Sequence, residues 1–295
     1  MQVIESWVRS ACSKGLGLRR DFIKDLLREQ TIPLDFLEIA PENWIGMGGQ
    51  YAEQLHQIAE KVPLTCHGLS LNLGGMAPLD MDYLHQLKKF FQRYDIVDYT
   101  EHLSFCGDSG HLYDLLPLPF NEESVKKVSA RIRQAQDVLE RRIGIENISF
   151  YALPSNEMTE AEFVSAVVQE ADCGLLLDVN NTYVNAHNHG YDAYEFIKAM
   201  PTERIHYLHV AGHDEGVNAL KIDTHGEDVN EGVWRLLSYT YECHGLQPTL
   251  LERDFNIPAL EQLLTEVSEI ERLQHQYFNE SQMRSTTELS RKRVS

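Results

Sequence analysis

Apolar runs in this chain repeatedly break off at a residue able to bind a metal ion. They end in His67, His102, Glu146, Asp178, His209 and Glu252, each just ahead of a turn-rich stretch. The stretch Gly174-Leu175-Leu176-Leu177-Asp178-Val179-Asn180-Asn181 is the sharpest case. Three leucines read as a strand buried on both faces, and an aspartate follows at once. A carboxylate at the mouth of a buried strand is costly unless it is paired or bound to a cation. Asp178 and Asn181 both reach inward if the strand turns at Asn180. Asp223 and His225 lie two apart, so on an extended segment both point to one side. Imidazole and carboxylate without thiolate suit zinc, iron or manganese rather than a cysteine-built structural site. These nine residues exceed what one ion can use. Two or three ions sharing bridging carboxylates would consume them, and such a cluster can activate water or O2 and orient a substrate.

The elements that must position these residues follow from periodicity. Strands are expected at Gly15–Leu18, Asp35–Ile39, Val62–Gly68, Asp98–Leu103, Ile143–Asn147, Gly174–Asp178, Arg204–Val210 and Thr249–Glu252. Helical patterns alternate with them. Asn121 is placed to cap one helix, Thr159 with Glu162 forms a capping box for another, and Gly245 stops a third. The stretches after the fourth and seventh strands read as long loops, and Asn185–Gly190 as a His- and Asn-rich loop. Eight strands alternating with eight helices argue a single (β/α)8 barrel, whose active site forms at the C-terminal ends of the strands. A doubly wound open sheet would not need ligands from nearly every strand, because its site sits at one switch point. The barrel is expected over residues 1–278, with a polar, disordered tail at 279–295.

Bulk properties exclude several classes. The 295 residues carry a net charge of −19, which repels nucleic acid at long range, and no membrane partner is expected. No apolar run approaches the ~20 residues of a membrane span. The first residues, Met1 to Trp7, lack a basic segment followed by an apolar one, so no signal peptide is expected. Five scattered cysteines form no Cys-x-x-Cys pair, which points to a reducing cytoplasm.

Each candidate ligand has a plainer role. A lone strand-end histidine is more often a hydrogen-bonded core residue, Asp178 can cap the segment after it, and Glu146 and Glu252 can pair with Arg141 or Arg253. Convergence of so many strand ends makes the plain roles a poor joint account. His56, His85, His206, His244 and His275 lack that context and are read as ordinary.

Taken in order, His67, His102, Glu146, Asp178, Asn181, His209, Asp223, His225 and Glu252 resemble the trinuclear site of the xylose-isomerase-like barrels, known from their apurinic endonuclease. Asn181 departs from that pattern, which has His there. The words around these residues are similar to another branch, the multinuclear non-heme iron-dependent oxidative enzymes of the methanobactin-biosynthesis-oxidase type. They are Leu37-Glu38-Ile39 with Glu42-Asn43, Cys66-His67-Gly68, Glu101-His102-Leu103-Ser104, Glu146-Asn147, Asn188-His189-Gly190 and His209-Val210-Ala211-Gly212-His213. The resemblance spans about residues 15–255. It implies two or three iron ions, with zinc or manganese replacing iron in a recombinant preparation, and O2 as co-substrate. It also implies oxidation of cysteine residues in a ribosomally made precursor peptide, presented by a small partner protein. All nine residues are carried over as metal ligands, with Glu146, His209 and Asp223 as the catalytic candidates. Glu38, Asn43, His187, His189 and His213 are carried over as supporting or substrate contacts. A phosphodiesterase-like metallohydrolase, a sugar isomerase and a non-catalytic metal barrel are the competing functions on the same frame.

Overall fold

The structure is a computed structural model that describes residues 12–107 and 110–292. The N-terminal residues on which the signal-peptide reading rests lie outside them. The first half contains β1 (Lys14–Gly17), α1 (Ile23–Arg28), β2 (Phe36–Ile39), α2 (Gly49–Ala59), β3 (Leu64–Gly68), α3 (Met81–Arg93), β4 (Tyr99–His102), β5 (Phe105–Gly107), β6 (His111–Leu116) and α4 (Glu122–Leu139). The second contains β7 (Gly144–Glu146), α5 (Glu160–Ala171), β8 (Gly174–Asp178), α6 (Val179–His189), α7 (Ala193–Ala199), β9 (Ile205–Val210), β10 (Asp214–Glu215), β11 (Lys221–Ile222), α8 (Glu231–His244), β12 (Thr249–Leu251) and α9 (Leu260–Lys292).

Strands β1, β2, β3, β4, β7, β8, β9 and β12 close into one barrel, and each neighbouring pair is parallel. This is a (β/α)8 barrel, and its strands are those the periodicity predicts. Strand alternation then sorts every residue. Leu37, Ile39, Leu64, Cys66, Tyr99, Ile145, Leu175, Leu177, Leu208, Val210 and Leu251 join the large core beneath the helices. Phe36, Leu176, Tyr207 and Leu250 form a separate inner cluster. Two residues further along the same strands stand Glu38, Asp178, His209 and Glu252. These four polar residues at the mouth therefore sit directly above an apolar or aromatic floor. Gly15 belongs to that floor. A Cβ there would lie 2.5 Å from the Phe36 ring, so a side chain on β1 is given up to let Phe36 fill the barrel.

The helix ends behave as the capping signals indicate. Asn121 Oδ1 accepts from Ser124 N–H, the Thr159–Glu162 box is complete, and Gly245 follows α8 at φ 76°. Three expectations need correction. The two long loops after β4 and β9 carry small antiparallel hairpins, β5–β6 and β10–β11, which pair only with themselves and so leave a weak sequence signal. The Asn- and His-rich stretch is not a loop but helix α6, running directly from Asp178 and ending at Gly190 with φ 74°. Asparagine competes with helical backbone in isolation, yet here the amides of Asn180, Asn181, Asn185 and Asn188 donate to Asp223, Asn147, Ile148 and Lys221 instead. The final helix, expected to end near Phe278, continues to Lys292 across the segment expected to be disordered. No glycine or proline interrupts that segment. Among the described residues, no helix is long and apolar enough to cross a membrane.

Candidate metal centre

The register sets the strand ends side by side. His67 pairs with Thr100, His102 with Glu146, and Asp178 with His209. Three groupings result, each with its ligand atoms within 4.8 Å of one another: His67, His102 and Glu146; Glu146, Asp178, His209 and Glu252; and His225, Glu252 and Asp254. Glu146 belongs to the first two and Glu252 to the last two, so the groupings form a chain with a shared carboxylate at each junction. Glu146 Oε2 lies 3.1 Å from His67 Nε2 and 3.2 Å from His102 Nε2, and its Oε1 is 3.4 Å from His209 Nδ1. Glu252 Oε2 lies 3.0 Å from His209 Nδ1 and 3.2 Å from His225 Nδ1. No cysteine enters any grouping among the described residues.

Hydrogen bonds on the far side of each ring decide which nitrogen faces the centre. Glu38 is acceptor-only when ionised, so Tyr207 O–H donates to it at 2.5 Å and His209 Nε2–H at 3.0 Å. The Tyr207 oxygen is then free to accept from Thr100 O–H at 2.8 Å, and Thr100 Oγ1 accepts from His67 Nδ1–H at 2.8 Å. His102 Nδ1–H donates to the Gly68 carbonyl at 2.9 Å. The lone pairs of His67 Nε2, His102 Nε2 and His209 Nδ1 are thereby turned toward Glu146. Such outer contacts fix tautomer and ring orientation in metal sites. Glu38 anchors two of these histidines at once.

Four buried atoms in this region make no hydrogen bond: Asp178 Oδ2, Asn181 Oδ1, His209 Nδ1 and His225 Nε2. Asp178 is divided between two tasks. Its Oδ1 caps α6 by accepting from Asn181 N–H at 2.7 Å, while Oδ2 is left bare toward His209. An unpartnered buried polar atom costs about 1–3 kcal/mol, and the bare oxygens of Asp178 and Asn181, with imidazole nitrogens of His209 and His225 that face only carboxylates, mark a site shaped for a cation. The titration pattern agrees. Burial, then the Glu146 charge, pushes the Asp178 carboxyl well above its ordinary range. Burial also acts to raise Glu146, but His67 and His102 outweigh it and hold the carboxyl low. Burial lowers His102, yet Glu146 and Glu101 carry it up to about 9. Carboxylates packed this densely in a dry site need protons or a multivalent ion. The donor set of imidazole, carboxylate and one amide carbonyl fits such an ion.

The remaining candidates divide. Asp223 lies outside all three groupings. It approaches His225 Nε2 at 2.7 Å and is held by Ser149 O–H and the Asn180 amide. Asn181 turns its carbonyl oxygen inward, its amide being taken by the Asn147 carbonyl. Among the supporting candidates, Glu38 reaches the centre, while His213 bonds Asn180 at 2.8 Å, whose amide donates to Asp223. His187 donates to Ala219 and His189 to Phe150, and the Asn43 carbonyl accepts from Arg20, so these three serve the surrounding loops. The plainer pairings fail: Arg141 binds the carbonyls of Ile96 and Val97, and Arg253 pairs with Asp228 and Glu266. His56, His85, His206, His244 and His275 are engaged elsewhere.

Sequence reasoning missed Asp254, whose Oδ2 is 3.3 Å from His225 Nδ1. The two-residue spacing from Glu252, the same signal that joins Asp223 to His225, was available to find it. It also missed Arg19, which pairs with Asp254 and stands 3.8 Å from Glu252 just beyond β1, a strand that, like β2, supplies no member of the three groupings.

The family model described as "RiPP precursor modification enzyme MbnB/TglH/ChrH" matches residues 13–275. The chain is 56% identical to the UPF0276 protein PA3283 of Pseudomonas aeruginosa over 271 residues, covering 92% of this chain and 95% of that one. It is 55% identical to a UPF0276 protein of Shewanella loihica over 256 residues, covering 87% and 92%. Among solved structures it is similar in fold to D-psicose 3-epimerase from Clostridium cellulolyticum, with TM-score 0.57, 12% identity and coverage of 92% and 98%. It is likewise similar to endonuclease IV from Thermus thermophilus, with TM-score 0.53, 17% identity and coverage of 91% and 99%. Both likenesses concern the fold, which is that of the xylose-isomerase-like barrels.

Proposed function

Because the chain belongs to the MbnB/TglH/ChrH family of RiPP precursor modification enzymes, we propose that it oxidises cysteine residues of a ribosomally made precursor peptide, using O2 at a centre of two or three iron ions. The observation that carries this reading is the chain of three ligand groupings joined by Glu146 and Glu252. In this reading His67, His102 and Glu146 hold the inner ion. Asp178, His209 and the Asn181 carbonyl join Glu146 and Glu252 around the next. His225, Glu252 and Asp254 serve an outer one, with Asp223 holding the His225 ring. Iron bound there supplies one-electron and O2 chemistry that the side chains cannot.

The chain itself supplies orientation and shelter. Glu38, through Tyr207 and Thr100, holds two imidazoles in the binding tautomer. Among the described residues no cysteine joins the groupings, so in this reading the thiolate would come from the substrate. Hairpins β5–β6 and β10–β11 stand in the βα loops, where a barrel enzyme binds its substrate. A small peptide-presenting protein is the partner in this reading. Nucleic acid is not, because a net charge of −19 opposes phosphate neutralisation.

Metal analysis of fully loaded protein is the test: at least two ions per chain, iron when cells are iron-rich. One ion or fewer contradicts the reading. A second expectation concerns Glu38→Gln. It should weaken metal affinity by about 10–100-fold, the range for such outer contacts, with the melting temperature of the metal-free protein little changed. Metal affinity equal to that of the unaltered protein removes the anchoring role given to Glu38.

A further inference from the structure

A second cavity opens beside the barrel mouth, in the angle between the β7–α5 loop, the first turn of α5 and the junction of α6 with α7. We propose that it binds an apolar group carrying an ammonium or guanidinium cation, with Glu160 as the counter-charge.

The volume is about 580 Å3, within the range of small-ligand sites and enough for one or two large side chains. Phe120, Phe150, Met158 and Phe196 supply apolar walls, and the His189 ring lies stacked on Phe150 at 4.3 Å. The lining includes no lysine and no arginine. Its charged members, histidine apart, are all acidic, with Glu157, Glu162, Asp192 and Glu195 joining Glu160.

Glu160 makes this more than an apolar hollow. It is 8% exposed, and its carboxylate accepts from the Asn185 amide at 3.1 Å and from Tyr191 O–H at 2.7 Å. Both donors are neutral, and among the described residues none of its contacts is a cation. Burial pushes its carboxyl up to about 7. A buried acid without a cationic partner is an unfavourable arrangement that natural structures correct by pairing. A ligand cation entering an apolar cavity past acidic side chains provides that pairing. The nearby Lys198 is otherwise committed, standing 3.6 Å from Glu195, and His189 Nε2–H donates to the Phe150 carbonyl.

The cavity is distinct from the metal centre but shares a segment with it. Glu146 lies in the centre, Ser149 donates to Asp223, and Phe150 is a cavity wall. Asn185 ties the two together by bonding Ile148, Phe150 and Glu160.

The test uses the full chain loaded with metal, two probes, 4-phenylbutylamine and its neutral isostere 4-phenylbutanol, and two competitor peptides, acetyl-Phe-Lys-amide and acetyl-Phe-norleucine-amide. Binding is read by calorimetry and by NMR shifts of the Phe150 and Tyr191 resonances. The amine should bind at least about tenfold more tightly than the alcohol, as a charge-assisted contact requires. Glu160→Gln, which preserves shape, should erase that preference while leaving alcohol binding and metal content unchanged. Ala161→Phe, which fills the cavity, should block both probes. If the lysine peptide displaces the amine and the norleucine peptide does not, the source is a peptide side chain. If neither displaces it, the source is a free amine, and both results uphold a cation site. Equal binding of amine and alcohol, a preference that survives in Glu160→Gln, or no binding of either probe overturns the proposal. None of these readouts depends on the redox reading of the metal centre.

Discussion

Glu146→Gln is expected to lose at least one metal ion per chain while the barrel still folds. Glu146 touches His67 and His102 through one oxygen and His209 through the other, which places it at the junction of two ligand groupings. Glutamine keeps the shape and one acceptor but removes the charge and the second anionic donor. Removing one member of a buried charge pair costs about 3–5 kcal/mol. At 1.4 kcal/mol per factor of ten, metal affinity should fall by about two to four orders of magnitude. The fold should persist because the residue stands at a strand end of the closed eight-stranded barrel, outside its apolar core. Metal analysis paired with circular dichroism checks this. Full metal content and full activity in the folded variant would remove Glu146 from the bridging role.

Glu252→Gln should produce a different loss. Glu252 joins the second grouping to the third, with His209 at 3.0 Å and His225 at 3.2 Å. It does not belong to the first, where His67, His102 and Glu146 remain complete. The variant is therefore expected to keep the inner ion and release the outer ones, with an affinity loss of about two to four orders of magnitude there, on the same grounds. Titration with cobalt, followed by absorption, distinguishes the sites by geometry. If Glu252→Gln and Glu146→Gln lose the same ion and nothing else, the chain of shared carboxylates is the wrong description.

Much of this centre was legible because the barrel makes its ligands conspicuous. A histidine or acid after an apolar run is a break in hydrophobic pattern, and register alone then sets His102 beside Glu146 and Asp178 beside His209. Glu38 was visible as the single acid in Phe36-Leu37-Glu38-Ile39. Its partner was not, because Tyr207 lies 169 residues away and meets it only across the closed barrel. Helix α6 was misread for a related reason. Its asparagines favour loops until tertiary acceptors at Asp223, Asn147, Ile148 and Lys221 become available. Asp223 shows what spacing leaves open. The two-residue interval sets it near His225, but it does not say that the carboxylate faces that ring and Ser149. The hairpin β10–β11 escaped notice because two-residue strands carry too little periodicity to stand out.

The central claim is that this centre uses reduced iron and O2 on a cysteine within a small peptide. It is tested most directly by reconstituting the protein anaerobically with ferrous iron and adding a cysteine-bearing peptide encoded beside it, with any encoded partner. O2 is then admitted and the peptide followed by mass spectrometry. The account predicts a mass change confined to cysteine, absent without O2 and absent in His209→Ala, the residue whose Nδ1 faces Glu146, Asp178 and Glu252. The same change produced with zinc in place of iron under nitrogen contradicts it and makes metal-assisted hydrolysis the better description.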